Sequence, residues 1–210
     1  GGGGIGTNGF VQIGEPGGLD ISVTKSWNDL DNQDNTRPQA VKVWLMRKVE
    51  GDEDFEKVAF LEFSKQNDES WPETLSFTNQ PEKDTNGKTY IYTVEEETTE
   101  GYVSTVEEND NGFTVTNHLS TNISGVKIWD DDNNQYGIRP KEITILIKDG
   151  EDIVDEIILS AGNNGIWEED ELKYTSIDLP KYRDGQEIEY TVTEAEVDGY
   201  ITTIDGYNIT

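Results

Sequence analysis

Apolar and polar residues alternate along most of the chain, and no segment shows a sustained helical stripe. In I-S-V-T-K-S-W, 21 to 27, Ile21, Val23 and Trp27 fall on one face of a strand, with Ser22, Thr24 and Ser26 on the other. The same period predicts strands over 20–27, 41–48, 57–63, 74–78, 88–96, 102–106 and 113–117, and again over 123–129, 142–148, 153–159, 174–178, 187–194, 200–204 and 207–210. Turn signals such as D-N-N-Q, K-D-G, A-G-N-N-G and Y-R-D-G separate them. Seven short strands in each half, with regular turns, predict an all-β chain of two immunoglobulin-like β-sandwich domains.

The halves are copies of one unit. K-S-W-N-D-L-D-N-Q-D-N-T-R-P (25 to 38) matches K-I-W-D-D-D-N-N-Q-Y-G-I-R-P (127 to 140) without a gap, at an offset of 102. Trp71 and Trp167 correspond at 96, and Y-T-V-E-E (92 to 96) matches Y-T-V-T-E (190 to 194) at 98. Gly101 and Tyr102 match Gly199 and Tyr200, and F-T-V-T-N (113 to 117) lies over the C-terminal Y-N-I-T. The drift in offset is loop length, as between two homologous domains rather than solenoid repeats. The expected division is a leader or tag remnant over 1–18, one domain over 19–119 and a second over 120–210. The join, H-L-S-T-N at 118 to 122, has no Pro- or Gly-rich spacer. It predicts two domains stacked end to end with limited bending.

Three strands of the first copy carry a polar residue on the apolar face: Lys25 with Ile21 and Val23, Glu96 with Tyr92 and Val94, Asn117 with Phe113 and Val115. A charge turned into a core is costly unless paired or neutralised. Desolvation favours the neutral forms of lysine and glutamate, which makes Lys25 a nucleophile and Glu96 a proton donor. Attack of Lys25 on the Asn117 carboxamide, with Glu96 assisting, would release ammonia and leave an intramolecular isopeptide bond. Fixed proximity supplies the effective molarity such a slow exchange needs. By analogy with disulfides closing long loops, the bond would add roughly 4 kcal/mol. The competing reading is a buried Lys25–Glu96 ion pair with Asn117 capping a strand end. The Lys and Glu recur in register as Lys127 and Glu194, which favours the covalent one.

Composition narrows the partners. With 44 acidic against 16 basic residues, the formal charge is −28, so nucleic acid and anionic membranes are repelled. Hydrophobic content is 32%, yet five Trp and nine Tyr are enough for compact β cores. There is no cysteine, so no disulfide does the stapling. No run is long enough for a membrane span, and no signal peptide is visible.

Other motifs are weaker. D-L-D-N-Q-D (29 to 34) and D-D-D-N-N-Q (130 to 135) look like calcium loops but lack the full ligand spacing, so Asp29, Asp31 and Asp34 are weak metal candidates beside an Asx-rich turn. No other metal or cofactor is implied. Arg37-Pro38 and Arg139-Pro140 are expected to pin the following strands. Glu95 and Glu96, adjacent in a strand, point to opposite faces and cannot flank a glycosidic bond. His118 is the sole histidine, which excludes a two-His metal site. The sequons at Asn122 and Asn208 are chance matches, and L-P-K-Y-R (179 to 183) is not a sortase-type L-P-x-T-G. The aromatic residues are expected in cores rather than in a glycan groove.

Taken together, K-x-W-x-D-x-x-N-Q-x-x-x-R-P, D-L-P-K-Y-R-D-G, Y-T-V-x-E, G-Y and a terminal T-N resemble the B-type repeat of Gram-positive collagen adhesins, the CnaB domain. The resemblance covers nearly everything from residue 19 onward. It implies a wall-anchored stalk or pilin module on the outside of a Gram-positive cell, with an autocatalytic Lys–Asn isopeptide bond assisted by an acid. Carried over, the residues are Lys25, Glu96 and Asn117, then Lys127 with Glu194. The sequence stops at Thr210, one residue before the expected Asn. Asn208 aligns with Thr114, on the opposite face, so the second bond is expected to need a residue after Thr210. Asn8 of the leader is a remote substitute from another chain. The chemistry is single-turnover, so the chain is not an enzyme. The implied partners are neighbouring domains of the same surface protein, and a monomer is expected. The alternative is a module that itself binds a host matrix protein or glycan.

Overall fold

The computed structural model describes residues 18–210, so the leader and Asn8 lie outside the described residues, Gly18 apart. Among these, every regular element is a β-strand. They form two compact units: residues 18–26, Pro38–Glu97 and Val106–Thr116 in one, and Trp27–Arg37, Thr98–Thr105 and Asn117–Thr210 in the other. Both repeats are thus all-β, with the strands of an immunoglobulin-like sandwich, as the alternation predicts.

In the first unit, β1 (Leu19–Asn28) lies between β4 (Thr74–Gln80) and β7 (Gly112–Ile128). A second sheet has the order β3 (Glu56–Ser64), β2 (Ala40–Val49), β5 (Tyr90–Glu96). Strict alternation puts Ile21 and Val23 of β1, Val41, Val43 and Leu45 of β2, Phe63, Phe77, Val94 and Val115 out of solvent. The strand β6 (Tyr102–Asn109) pairs with β7. Gly112 starts β7 where an added Cβ would collide with the Ser22 backbone, so the absent side chain lets β7 close on β1.

The second unit repeats the plan. One sheet joins β7 to β10 (Glu171–Pro180) and to β15 (Asn208–Ile209), which is hairpinned to β14 (Ile204–Asp205). The other has the order β13 (Tyr190–Glu194), β8 (Glu142–Asp149), β9 (Asp152–Ser160). Ile123, Ile145, Ile147, Tyr174, Leu179, Tyr190, Val192 and Ile209 form its main core. Trp129, Ile143, Trp167 and Val197 form a second cluster. A small hairpin, β11 (Tyr182–Arg183) with β12 (Gln186–Glu187), projects from the end of β10.

Three of the differences between observed and expected strands change how elements join or divide. The join at 118–122 is not a break: β7 runs through it, because Ser120 and Thr121 pair with Pro180 and Leu179 of β10. The strand expected over 187–194 is divided, since Glu187 pairs within the hairpin whereas Tyr190–Glu194 pairs with β8. Of 200–204 only Ile204 belongs to a strand, because the hairpin to β15 is too short to extend further.

Candidate functional site

Lys25 follows Ile21 and Val23 on the inner face of β1, and its side chain is fully out of solvent. Glu96 ends β5, opposite Val43 of the central strand β2, and its side chain is 1% exposed. Register alone therefore brings the two termini inward on facing sheets. Lys25 Nζ lies 3.5 Å from Glu96 Oε2 and donates to the Ser26 carbonyl at 2.9 Å and to the Val115 carbonyl at 3.4 Å. Asn117 stands two residues beyond Val115 on the same face of β7 and is completely buried. The three polar residues singled out from alternation are thus all buried.

The second repeat builds the pair again. Lys127 of β7 is antiparallel to Leu172 of β10 and parallel to Ile209 of β15. Glu194 ends β13 opposite Ile145 of β8. Lys127 Nζ is 3.0 Å from Glu194 Oε1, with side chains 4% and 1% exposed. Thr202 donates its hydroxyl to Glu194 Oε2 at 2.8 Å. Ile209 is fully buried as Val115 is, whereas Asn208 is exposed and accepts from the Val126 amide at 3.2 Å. Strand alternation therefore turns Asn208 away from Lys127, as the alignment with Thr114 predicts. Gly125 makes this edge possible: a Cβ there would collide with the Tyr207 carbonyl and the Tyr174 ring, which are themselves hydrogen-bonded.

Beside each lysine sits a cluster the sequence reading did not assemble. Asp29 is 2% exposed and receives Arg37 in a two-point contact, Nε to Oδ2 and Nη2 to Oδ1, both at 2.7 Å. The Asn32 amide adds a bond at 3.0 Å and the Tyr102 hydroxyl another at 3.0 Å. Asp131 takes the same partners in the second copy: Arg139 Nε at 2.7 Å, the Asn134 amide at 2.9 Å and the Tyr200 hydroxyl at 2.7 Å. Each arginine also lies over the preceding Trp, Arg37 at 5.1 Å from the Trp27 ring and Arg139 at 5.2 Å from Trp129. Lys127 Nζ is 4.6 Å from the Trp129 ring centroid, so that indole touches both the lysine and the loop-closing arginine. The signal was present in the offset of 102, which aligns Trp, Asp, Asn and Arg; the loop between them, lacking alternation, gave no reason to join them.

These contacts govern the local charge. Burial alone would raise the Asp29 carboxyl, but the bonds from Arg37, Asn32 and Tyr102 outweigh it and hold it below the usual range. The Arg139 side-chain bond holds Asp131 far below that range, against its desolvation. Burial pushes the Tyr102 and Tyr200 hydroxyls up to about 12, helped by the adjacent aspartates.

The metal candidates come out with separate roles. Asp29 is committed to Arg37, Asp34 lies 3.6 Å from Lys181, and the Asp31 side chain is in solvent, 4.0 Å from Arg37. Among the described residues no three His, Asp or Glu groups gather as a cation site. The side-chain hydrogen bonds of Arg37 go to Asp29, and those of Arg139 to Asp131 and Asp170, so each arginine closes its own loop where the sequence expectation had it pin the following strand. His118 bridges Asn28 and Thr105, at 3.0 Å each.

Fold and geometry together define a class: tandem β-sandwich repeats that each bury a lysine from the first strand against a glutamate. The chain matches the Cna protein B-type domain over residues 21–118 and again over 123–210, and it belongs to that family. It is 40% identical over 203 residues to a collagen adhesin of Staphylococcus aureus, covering 93% of this chain and 16% of that protein. It therefore spans a small part of that relative. Two solved structures are also similar. The two B repeat units of the S. aureus collagen binding protein share 34% identity over 92% of this chain and 49% of that one, with a TM-score of 0.38. The single B1 repeat unit shares 32% identity over 90% and 92%, with a TM-score of 0.39.

Proposed function

We propose that the chain is a structural stalk, a spacer of a cell-wall-anchored Gram-positive surface protein, stabilised by an intramolecular bond between Lys25 and Asn117. The observation that carries the reading is the pair of dry Lys–Glu contacts, 3.5 Å in the first repeat and 3.0 Å in the second. An ion pair kept only for stability is a poor use of such positions, because well-packed apolar residues generally serve as well or better. The same pair at the same strand positions in both copies favours chemistry.

One proton passed from Lys25 to Glu96 gives a neutral amine and a neutral acid. Lys25 Nζ attacks Cγ of Asn117 while the Glu96 acid donates a hydrogen bond to the carboxamide oxygen. The tetrahedral adduct collapses with loss of the amide nitrogen, which leaves as ammonia carrying the proton that Glu96 shuttles from Lys25. One C–N bond breaks, one forms, and no oxidant or cofactor is needed. Lys127 and Glu194 would perform the same step on an Asn placed one position after Thr210.

The test is the intact mass of the denatured, purified 210-residue chain. A deficit of one ammonia, abolished by Lys25→Arg, supports the reading; the full sequence mass removes it. A ligand-binding role has one observation in its favour, an outward platform of Trp44 and Phe60 with ring centroids 5.2 Å apart and Lys42 beside both rings. The stalk reading expects no saturable binding to matrix proteins or glycans, and saturable binding lost on Trp44→Ala and Phe60→Ala would replace it.

A further inference from the structure

The second unit includes Trp27–Arg37 and Thr98–Thr105, which close over the β11–β12 hairpin. Asn28 Nδ2 donates to the Tyr182 carbonyl at 2.8 Å, and Lys181 Nζ lies 3.6 Å from Asp34. Trp27 and Leu30 pack against the buried trio Tyr102, Leu119 and Tyr182. The repeat offsets give each of these loop residues a counterpart: Asp130 for Asn28, Asp132 for Leu30, Tyr136 for Asp34, Tyr200 for Tyr102 and Ile201 for Val103. The frame beneath is the same, since Asp131, Asn134, Arg139 and Tyr200 reproduce the bonds of Asp29, Asn32, Arg37 and Tyr102. Even the three consecutive left-handed residues recur, Leu30, Asp31 and Asn32 in one loop and Asp132, Asn133 and Asn134 in the other.

The outer surface of the second loop, however, is open. Tyr136 is 78% exposed and Ile201 92%, where Val103 is half-buried. With Asp130, Asp132, Ile138 and Tyr200 they line a groove of about 450 Å³. Among the described residues Tyr136 and Ile201 are the two most exposed of the large apolar side chains, and they stand together on one groove, where contiguous exposed apolar surface marks an interaction site.

We propose that this groove seats a further repeat of the same kind, entering through a hairpin tipped with Lys and Tyr as at Lys181 and Tyr182. The lysine would meet Asp130 and Asp132, and the tyrosine would lie on Tyr136, Ile138 and Ile201. Charge supports this occupant: a chain of formal charge −28 offers few surfaces that an acidic groove attracts, and the hairpin carries both Lys181 and Arg183. The inference rests on the stalk reading.

The experiment uses the chain lengthened after Thr210 by a second copy of residues 117–210, so that an Asn follows Thr210 and the strand keeps its phase, with circular dichroism confirming that the added copy is folded. Because the protein has no cysteine, Asp130→Cys in the original copy is a unique thiol, and Ile158→Cys on the exposed edge of β9 is its control. Alkylation of the thiol at position 130 is expected to slow at least about tenfold when the copy is added, while position 158 is unchanged. Equal rates with and without the copy, or slowing at both positions, overturn the proposal. The intact mass of the same samples keeps the two ideas apart. A covered thiol without ammonia loss retains the seat and removes the cross-link; ammonia loss with an open thiol does the reverse.

Discussion

Lys127 Nζ lies 3.0 Å from Glu194 Oε1, with both side chains almost wholly withdrawn from water. Breaking such a pair is far costlier than replacing it, because the surviving charge is left buried without compensation. Lys127→Met should therefore destabilise the second repeat by about 3–5 kcal/mol. The double variant Lys127→Met, Glu194→Leu should return to within about 1 kcal/mol of the parent, less whatever Thr202 loses with its acceptor. Urea denaturation of the three chains checks this. A double variant as damaged as the single one would mean the pair is not the desolvated contact described.

In the first repeat, Glu96→Gln and Lys25→Arg should both restore the full sequence mass by preventing ammonia loss. Glu96→Gln keeps its backbone pairing with Val43, so the strand itself has no reason to move. In Lys25→Arg, which keeps a cation beside Glu96, loss of the cross-link should lower stability by roughly 4 kcal/mol, the scale of a covalent tie closing a loop of about a hundred residues. Glu96→Gln should lose more, because it also leaves the Lys25 charge buried without its partner. Thermal melts run beside the mass measurement separate the two effects. A variant lacking the bond yet melting with the parent would show that the tie contributes nothing to stability.

The aspartate–arginine–tyrosine clusters set a pH window with opposite signs at its two ends. Asp29 and Asp131 have carboxyls held below their unfolded value of 3.8. Their contribution is complete above that value and is lost as pH falls through the depressed folded one. Tyr102 and Tyr200 are neutral in the fold, with hydroxyls raised from 10.0 to about 12. Theirs is complete below pH 10.0 and is lost as pH rises toward about 12. Tyr102→Phe should flatten the alkaline limb of a stability–pH profile for the first repeat. An unchanged limb would place the alkaline sensitivity elsewhere.

Asp29→Ala and Asp31→Ala lie two residues apart in one loop and should behave differently. Asp29 is buried and holds Arg37, the Asn32 amide and Tyr102, so its loss strands a guanidinium over Trp27 and should cost about 3 kcal/mol. Asp31 points into solvent, and its replacement should stay within about 0.5 kcal/mol. If the loop instead held calcium, a chelator would lower the melting temperature of the parent. With Asp29 committed to Arg37, no such shift is expected.

The sandwich and its buried polar triad could be read from the chain because a strand places alternate residues on opposite faces. A lysine at 25, a glutamate at 96 and an asparagine at 117 break the apolar phase at single, countable positions. The continuity of β7 was legible in the same way: Phe113, Val115, Asn117, Leu119, Ile123 and Lys127 keep one phase through the polar H-L-S-T-N. The repeat boundary falls on this stretch and reads as a join between domains, although Ser and Thr sit readily in a paired strand. The Asp29–Arg37 contact was different in kind. It spans a left-handed turn at Leu30, Asp31 and Asn32, where no periodicity relates sequence position to direction. Only matching the two copies residue by residue could have suggested it.

Gly125 provides a last test, one that separates crowding from backbone strain. Its φ is not in the left-handed region, so an alanine there faces no conformational penalty of that kind. The added Cβ would nevertheless strike the Tyr207 carbonyl and the Tyr174 ring, pushing β15 away from β7. Gly137 is the converse: φ is +65° and the space around it is open. Gly125→Ala should cost about 1–3 kcal/mol by overpacking and should speed hydrogen exchange at the Thr203 and Thr210 amides, which bond each other's carbonyls at 2.8 and 2.9 Å. Gly137→Ala should cost about 1 kcal/mol and leave those amides untouched. Because Ile209 is the residue paired with Lys127, loosening this edge should also disturb the surroundings of the buried lysine. Equal exchange in the two variants would show that the close approach at Gly125 does not hold β15 in place.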